Sequence, residues 1–211
     1  MVIVIDPQIA GISGDMLLCS LVDLGADKNQ IVEGIKKIEK FLPDSKINKI
    51  DFQKIQKNGI ESTELILEID ENTSERKGVE IKNAIINSVN ELQLSDKARS
   101  FAESCINSLI SSESKIHGIL EDSVHFHEAS SIDTLIDIVG VTIACEQLKF
   151  FNEKIVCLPV SVGSGTVSFS HGTMSNPTSA VLQIFKNSNL NIQGSNAKEE
   201  LTTTLRYPLF K

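Results

Sequence analysis

The amino-acid sequence predicts an α/β or mixed α+β fold, a sheet with interleaved helices that includes one β-hairpin. Three observations carry that prediction. A β-branched run at residues 3–5 passes through a glycine-containing loop into a helix-spaced apolar stretch. Asn58-Gly59 separates two runs of strand character. Long segments with apolar residues at helical spacing then alternate with further β-branched runs.

Taken in order, residues 3–5 read as a short buried strand ending at Asp6. The loop PQIAGISGD leads to a helix over about 15–24, closed by Gly25 at the C′ position. Asp27 with Gln30 gives a capping-box signal for a second helix, on which Ile31, Ile35 and Ile38 share a face. Pro43 ends that region. DFQKIQ, Asn58-Gly59 and the alternating Thr63, Leu65, Leu67 and Ile69 read as a hairpin, because both turn residues tolerate the positive φ of a type I′ turn. The polar run ENTSERKG reads as a loop. Helices follow over about 79–92 and 95–116, the second with Ala98, Phe101, Ala102, Cys105 and Leu109 on one face. Residues 124–128 read as extended, 132–148 as helix and 154–162 as strand. Gly163-Ser164-Gly165 turns the chain into a strand over 166–170. Asn176 is the expected cap of a helix with Pro177 at its first position, running through Phe185. Residues 44–118 form a candidate hairpin-plus-helices subdomain.

At 211 residues and 41% hydrophobic, the chain can bury a substantial core as one domain or two small ones. Its net charge of -8 argues against nucleic acid, whose affinity rests on Lys and Arg neutralising phosphates, and suits a small-molecule or cation handler. Cys19, Cys105, Cys145 and Cys157 lie far apart with no C-x-x-C pair, which excludes a structural zinc site built on cysteines. MVIVIDPQ has no basic region and too short an apolar stretch for a signal peptide. No segment approaches the length of a membrane span, so a cytoplasmic protein is expected.

Chemistry concentrates in one run. His125 and His127 flank Phe126 in VHFHEASSIDTLIDIVG, with His117 just upstream and His171 opening HGTMSNPTSA. Imidazole is the commonest protein metal ligand, and Glu128, Asp133 and Asp137 add harder oxygen donors. In an extended segment side chains two apart share a face, so both imidazoles project together from Cα atoms roughly 6–7 Å apart. On the following helix Asp133 and Asp137 stand at i, i+4, where like charges cost roughly 0.2–0.5 kcal/mol unless a cation or partner compensates. The plainer account sets Asp133 against the helix dipole and leaves Asp137 in water. The HFHE run directly before them favours a functional cluster. His117 is set apart as a helix C-terminal histidine favoured by the dipole.

The GISGD loop joins a strand to a helix, where backbone N–H groups can cradle an anion, so Gly11, Ser13, Gly14 and Asp15 are candidate cofactor-binding residues. It matches neither G-x-G-x-x-G, nor a Walker A, nor G-x-S-x-G, and has no lysine for a phosphate. A tight turn with Asp15 as the cap is the simpler account. A hairpin turn likewise explains Gly163-Ser164-Gly165. The metal candidates are His125, His127, His171 and Asp6. If strand carboxyl ends converge on a crevice, Asp6, Ser13, Asp15, His125, His127 and His171 should face one pocket.

Together these runs resemble the LarC-type nickel insertion family, which completes the nickel-pincer cofactor of lactate racemase. The matching pieces are IDPQIAGISGDMLLCSLVDLGAD, SESKIHG with SVHFHEASSIDTLIDIVG, and LPVSVGSGTVSFSHGTMSNPTSAVLQIFK, almost the length of the chain. The central HFHE and IDTLIDIVG run is the specific one. The resemblance implies a nickel- and CTP-dependent cyclometallation of the lyase class. In it Ni²⁺ enters a pyridinium mononucleotide bearing two thiocarboxylates, forming one nickel–carbon and two nickel–sulfur bonds. Forming the metal–carbon bond expels a ring proton, so a general base is needed, and Glu128, His127, Asp133 and Asp137 all qualify.

The chain departs from the family pattern in three places. ENTSERKG stands where many relatives carry a histidine-rich run. Ser175 and Ser179 leave only Pro177 in a stretch usually richer in proline. The tail EELTTTLRYPLFK diverges from the family's Thr-Pro-Thr-Gly segment. The family binds its triphosphate in a C-terminal domain beyond the region matched, so the chain is expected to be the N-terminal region working with a separately encoded nucleotide-binding partner. Two other classes stay open: a non-catalytic nickel-binding or metallochaperone module, and a metal-dependent hydrolase in which His and Asp activate water.

Overall fold

The computed structural model describes residues 1–127, 130–169, 172–198 and 200–202. The fold is mixed α+β, as the alternation of elements predicts, but among the described residues the strands make five separate two-stranded sheets rather than one. In chain order the elements are β1 (Val2–Ile5), α1 (Gly14–Asp23), α2 (Lys28–Ile38), β2 (Ser45–Lys57), β3 (Ile60–Glu71), β4 (Arg76–Lys77), α3 (Gly78–Glu91) and α4 (Asp96–His117). Then come β5 (His125–Phe126), α5 (Ile132–Gln147), β6 (Lys154–Cys157), β7 (Val160–Val162), β8 (Thr166–Phe169), β9 (Gly172–Ser175), α6 (Ser179–Lys186) and β10 (Ile192–Gly194).

Helix α5 is the centre of the molecule. Twelve of its sixteen residues are buried, which matches a sequence apolar on nearly every side. Helices α1, α2, α3 and α4 all pack on it. Ile132, Leu135, Ile136, Ile138 and Val139 are fully enclosed. Each contributes roughly 1.5–3 kcal/mol by leaving water.

Local chemistry accounts for most element ends. Helix α1 stops in a Schellman motif: Gly25, at φ 110, donates to the Val22 carbonyl, and Ala26 donates to Leu21. Asp27 caps α2 by accepting from the Asn29 and Gln30 amides, while the Gln30 side chain donates back to the Asp27 carboxylate. Asn58 and Gly59, at φ 53 and 80, form the predicted turn of a hairpin longer than the alternation alone suggests.

Several expectations need correction. The predicted strand over 154–162 breaks at Leu158-Pro159 into β6, parallel to β1, and β7, parallel to β10. Gly163-Ser164-Gly165 is therefore not a hairpin turn, because the strand after it, β8, pairs with β9 instead. The cap of α6 is Thr178, whose hydroxyl accepts from the Val181 amide. Asn176 and Pro177 precede it, joined by a cis peptide. The ENTSERKG run is not all loop either: Glu71 ends β3 and Arg76–Lys77 forms β4.

Candidate functional site

Of the two described site histidines, His125 lies on β5 and His127 directly follows it; β5 pairs with β4 in the register Arg76 to Phe126 and Lys77 to His125. The backbone alternates as the spacing predicts. Phe126 is buried in the core, while His125 and His127 are exposed. His127 Nε2 lies 3.6 Å from a carboxylate oxygen of Glu75, just before β4. Glu128 and His171 lie outside the described residues. Among the described residues no three His, Cys, Asp or Glu side chains converge as a group able to hold a metal ion.

The next site residues come from α5. Between Ile132 and Cys145 every residue is buried except Asp133 and Asp137, so the buried helix shows two carboxylates, one turn apart, at its only open edge. Burial pushes the Asp133 carboxyl above the ordinary carboxylate range. The Thr134 amide and Ser131 hydroxyl pull it back, and the nearby Glu71 charge raises it further. Thr134 N donates to Asp133 Oδ1 at 2.7 Å.

Buried Arg76 and half-buried Glu71 form an ion pair beside that edge, and nothing in their polar setting ENTSERKG signals it. Arg76 is only 6% exposed. Its guanidinium donates to the Ser130 carbonyl, to Ser45 Oγ at 2.7 Å and to Glu71 Oε1 at 3.3 Å. Glu71 Oε2 accepts from the Ile132 amide at 3.0 Å, so this carboxylate satisfies the first N–H of α5, whose cap residue Ser131 makes no side-chain cap bond. Burial acts to raise the Glu71 carboxyl. The hydrogen bonds from Ser45, Arg76, Ser131 and Ile132 outweigh it and hold Glu71 below the usual range.

The GISGD loop meets α5 at Asp137. Ser13, not Asp15, caps α1, its hydroxyl accepting from the Met16 amide at 3.0 Å. Serine at the N-cap leaves Asp15 in the first turn, where its charge opposes the helix dipole. A side chain on Gly14 would fall inside the Asp137 carboxylate, so glycine is what lets the two motifs touch. Asp15 and Asp137 both act on Cys19. Burial chiefly, with these carboxylates and Asp23 behind it, lifts that thiol to about 12.

This geometry does not fit a triphosphate cradle. Gly11 N donates to the Pro7 carbonyl at 3.1 Å, Ile12 N to Leu201 at 3.2 Å, and Met16 N to Ser13. The N-terminus of α1 already faces a carboxylate of the protein, which would repel a phosphate.

Asp6 and Gly11 lie elsewhere, in a groove of about 630 Å³ with Phe101, Phe150, Phe151 and Cys157 among its walls. Met16, Ser20 and Leu24 of α1 line the same groove, and at 100° per residue Asp15 points to the opposite side of that helix. Neither Ser13, His125 nor His127 lines it. Asp6 and Gly11 thus line this groove, whereas Gly14 meets Asp137, with Asp133 one turn away on the same helix. His117 ends α4, 3.3 Å from Glu113 and apart from both.

A family profile described as "Nickel insertion protein" matches residues 3–206, nearly the whole chain. The chain belongs to the nickel insertion protein family. Among curated relatives, proteins of Staphylococcus saprophyticus and Staphylococcus epidermidis are each 34% identical over 92% of this chain and 46% of their own length. Both are named pyridinium-3,5-bisthiocarboxylic acid mononucleotide nickel insertion protein. A Methanopyrus kandleri protein whose description also names nickel insertion is 33% identical over 97% of this chain and 49% of its own. The chain spans about half the length of the curated relatives it matches. No solved structure matches it significantly.

Proposed function

We propose that this chain handles Ni²⁺ as a substrate and takes part in its insertion into a pyridinium bis-thiocarboxylate mononucleotide, a cytoplasmic step of lyase type in the maturation of lactate racemase. The observation that carries the reading is that Asp133 and Asp137, one turn apart, are the partly exposed residues between Ile132 and Cys145 of a buried helix, and that two exposed histidines shortly precede them. His125 and His127 would take the incoming Ni²⁺, which imidazole binds well, and Asp137 would supply an oxygen donor from the helix that follows. The softer thiocarboxylate sulfurs of the substrate then capture the ion. As the nickel–carbon bond forms, the ring carbon loses a proton to a base. Asp133 is the best placed of the candidates, since burial keeps its carboxyl more basic than an ordinary aspartate. His171 and Glu128 would serve as a further ligand and base, while Asp6, which lines the separate groove, stands apart from them. Of the GISGD residues, Gly14 makes room for Asp137 and Ser13 caps the helix that carries Asp15, while Gly11 belongs to the groove side. No step is assigned to CTP here; a separate nucleotide-binding domain or partner is proposed to hold it.

Calorimetric titration of the metal-free chain with Ni²⁺ tests the reading. Saturable binding should fall at least tenfold when His125→Ala and His127→Ala are combined. Unchanged affinity in that variant would overturn the assignment. Nickel binding without any turnover of the mononucleotide, even with the nucleotide-binding partner supplied, would make the chain a delivery module instead.

A further inference from the structure

We infer that Arg76, working with Glu71, is a positioning residue for the nickel site, an inference that rests on the reading just given. The segment linking the histidines to the acidic pair is short, and it is held at three points. Ser130 Oγ donates to the His127 carbonyl at 2.7 Å, the Ser130 carbonyl accepts from the Arg76 guanidinium, and the Ile132 amide donates to Glu71 at 3.0 Å. Every one of these contacts traces back to the Glu71–Arg76 pair or to Ser130, which Arg76 grips. Arg76 also stands opposite Phe126 in the β4–β5 register, so one residue orients the histidine strand by its backbone and the turn after it by its side chain. Ser45 Oγ, 2.7 Å from the guanidinium and bonded to Glu71 Oε1, ties both to the base of the β2–β3 hairpin.

A fold needing only stability would not require this arrangement, because a buried ion pair is a weak source of stability and apolar residues of similar volume often do as well. What a fork of five donors does supply is fixed geometry toward several acceptors at once, which a lysine cannot reproduce. Ligands on and just after a two-residue strand need such support to stay within the tolerance of a metal site.

The test uses the whole chain, with nickel itself as the probe. Arg76→Met and Arg76→Lys are expected to lower nickel affinity about tenfold, the loss typical of removing the support behind a metal ligand. In either background His127→Ala should cost little more, since a histidine no longer held in place has little left to contribute. A role in stability alone would instead leave the His127→Ala loss undiminished. Circular dichroism confirms folding, and if Arg76→Met does not fold, Arg76→Lys, which keeps the charge, decides. Wild-type affinity in a folded Arg76 variant overturns the inference and leaves the nickel reading intact. Wild-type affinity in the combined His125→Ala and His127→Ala variant overturns both.

Discussion

Asp133 is held where a carboxylate is poorly solvated. Burial raises its pKa, so the folded chain binds a proton there more tightly than the unfolded chain does. The sign of the consequence follows from linkage: the fold loses stability as pH rises from the ordinary value of 3.8 through the raised folded value, and stays poorer above it. Asp133→Asn keeps an oxygen for the Thr134 amide and removes the charge. The variant is expected to be more stable than wild type at neutral pH by roughly 0.5–2 kcal/mol, the usual gain from relaxing a functional site, while its activity drops. Urea unfolding across pH checks this. The gap should close as pH falls toward 3.8, and a variant less stable than wild type at pH 7 would rule out the strained-carboxylate account. Cys19 teaches the opposite lesson. With its thiol lifted to about 12 it stays protonated near neutrality and offers no soft ligand, so its place is in the packing of α1.

At the scale of elements, the contact between α1 and α5 brings the GISGD loop to the acidic pair. The approach depends on Gly14, against which the Asp137 side chain lies flat. Alanine there must push Asp137 aside or separate the helices, and overpacking of this kind costs about 1–3 kcal/mol. Gly14→Ala is therefore expected to lower the urea midpoint by a corresponding amount and to weaken nickel binding as well, because Asp137 moves. A variant with an unchanged midpoint would mean that Asp137 has room to turn away, and the two motifs would then be neighbours without being coupled.

Across the described residues, α1 to α4 pack on α5, and between Ile132 and Cys145 only Asp133 and Asp137 are not buried. No helix among the described residues is long and apolar enough to cross a membrane. The amides of Gly11, Ile12 and Met16 are all engaged within the protein, and an acidic chain of net charge -8 gives a triphosphate little attraction. CTP should therefore bind this chain with a dissociation constant no tighter than about 1 mM, worth roughly 4 kcal/mol. Equilibrium dialysis with labelled CTP measures it, and saturable micromolar binding would return the GISGD loop to candidacy as a nucleotide site.

Much of this was legible in the residues themselves. Helices α2 to α5, the Asn58-Gly59 turn and the outward pairing of His125 with His127 all follow from periodicity and turn chemistry, which neighbouring residues encode by direct steric and hydrogen-bonding preference. The nickel insertion family was likewise readable from the HFHE and IDTLIDIVG run, and the matching profile bears it out. What local sequence could not contain was partnership at a distance. Arg76 meets Ser45, Ser130 and the Glu71 that caps α5 across separations of 31, 54 and 5 residues, and Glu71 reaches Ile132 across 61. In one dimension ENTSERKG is merely polar, and only folding decides that Arg76 is buried with Glu71 as its partner. The same holds for the strands: β-branched composition marks where a strand can form, but which strand it pairs with, here across separations as long as that of β1 from β6, is settled only by tertiary packing.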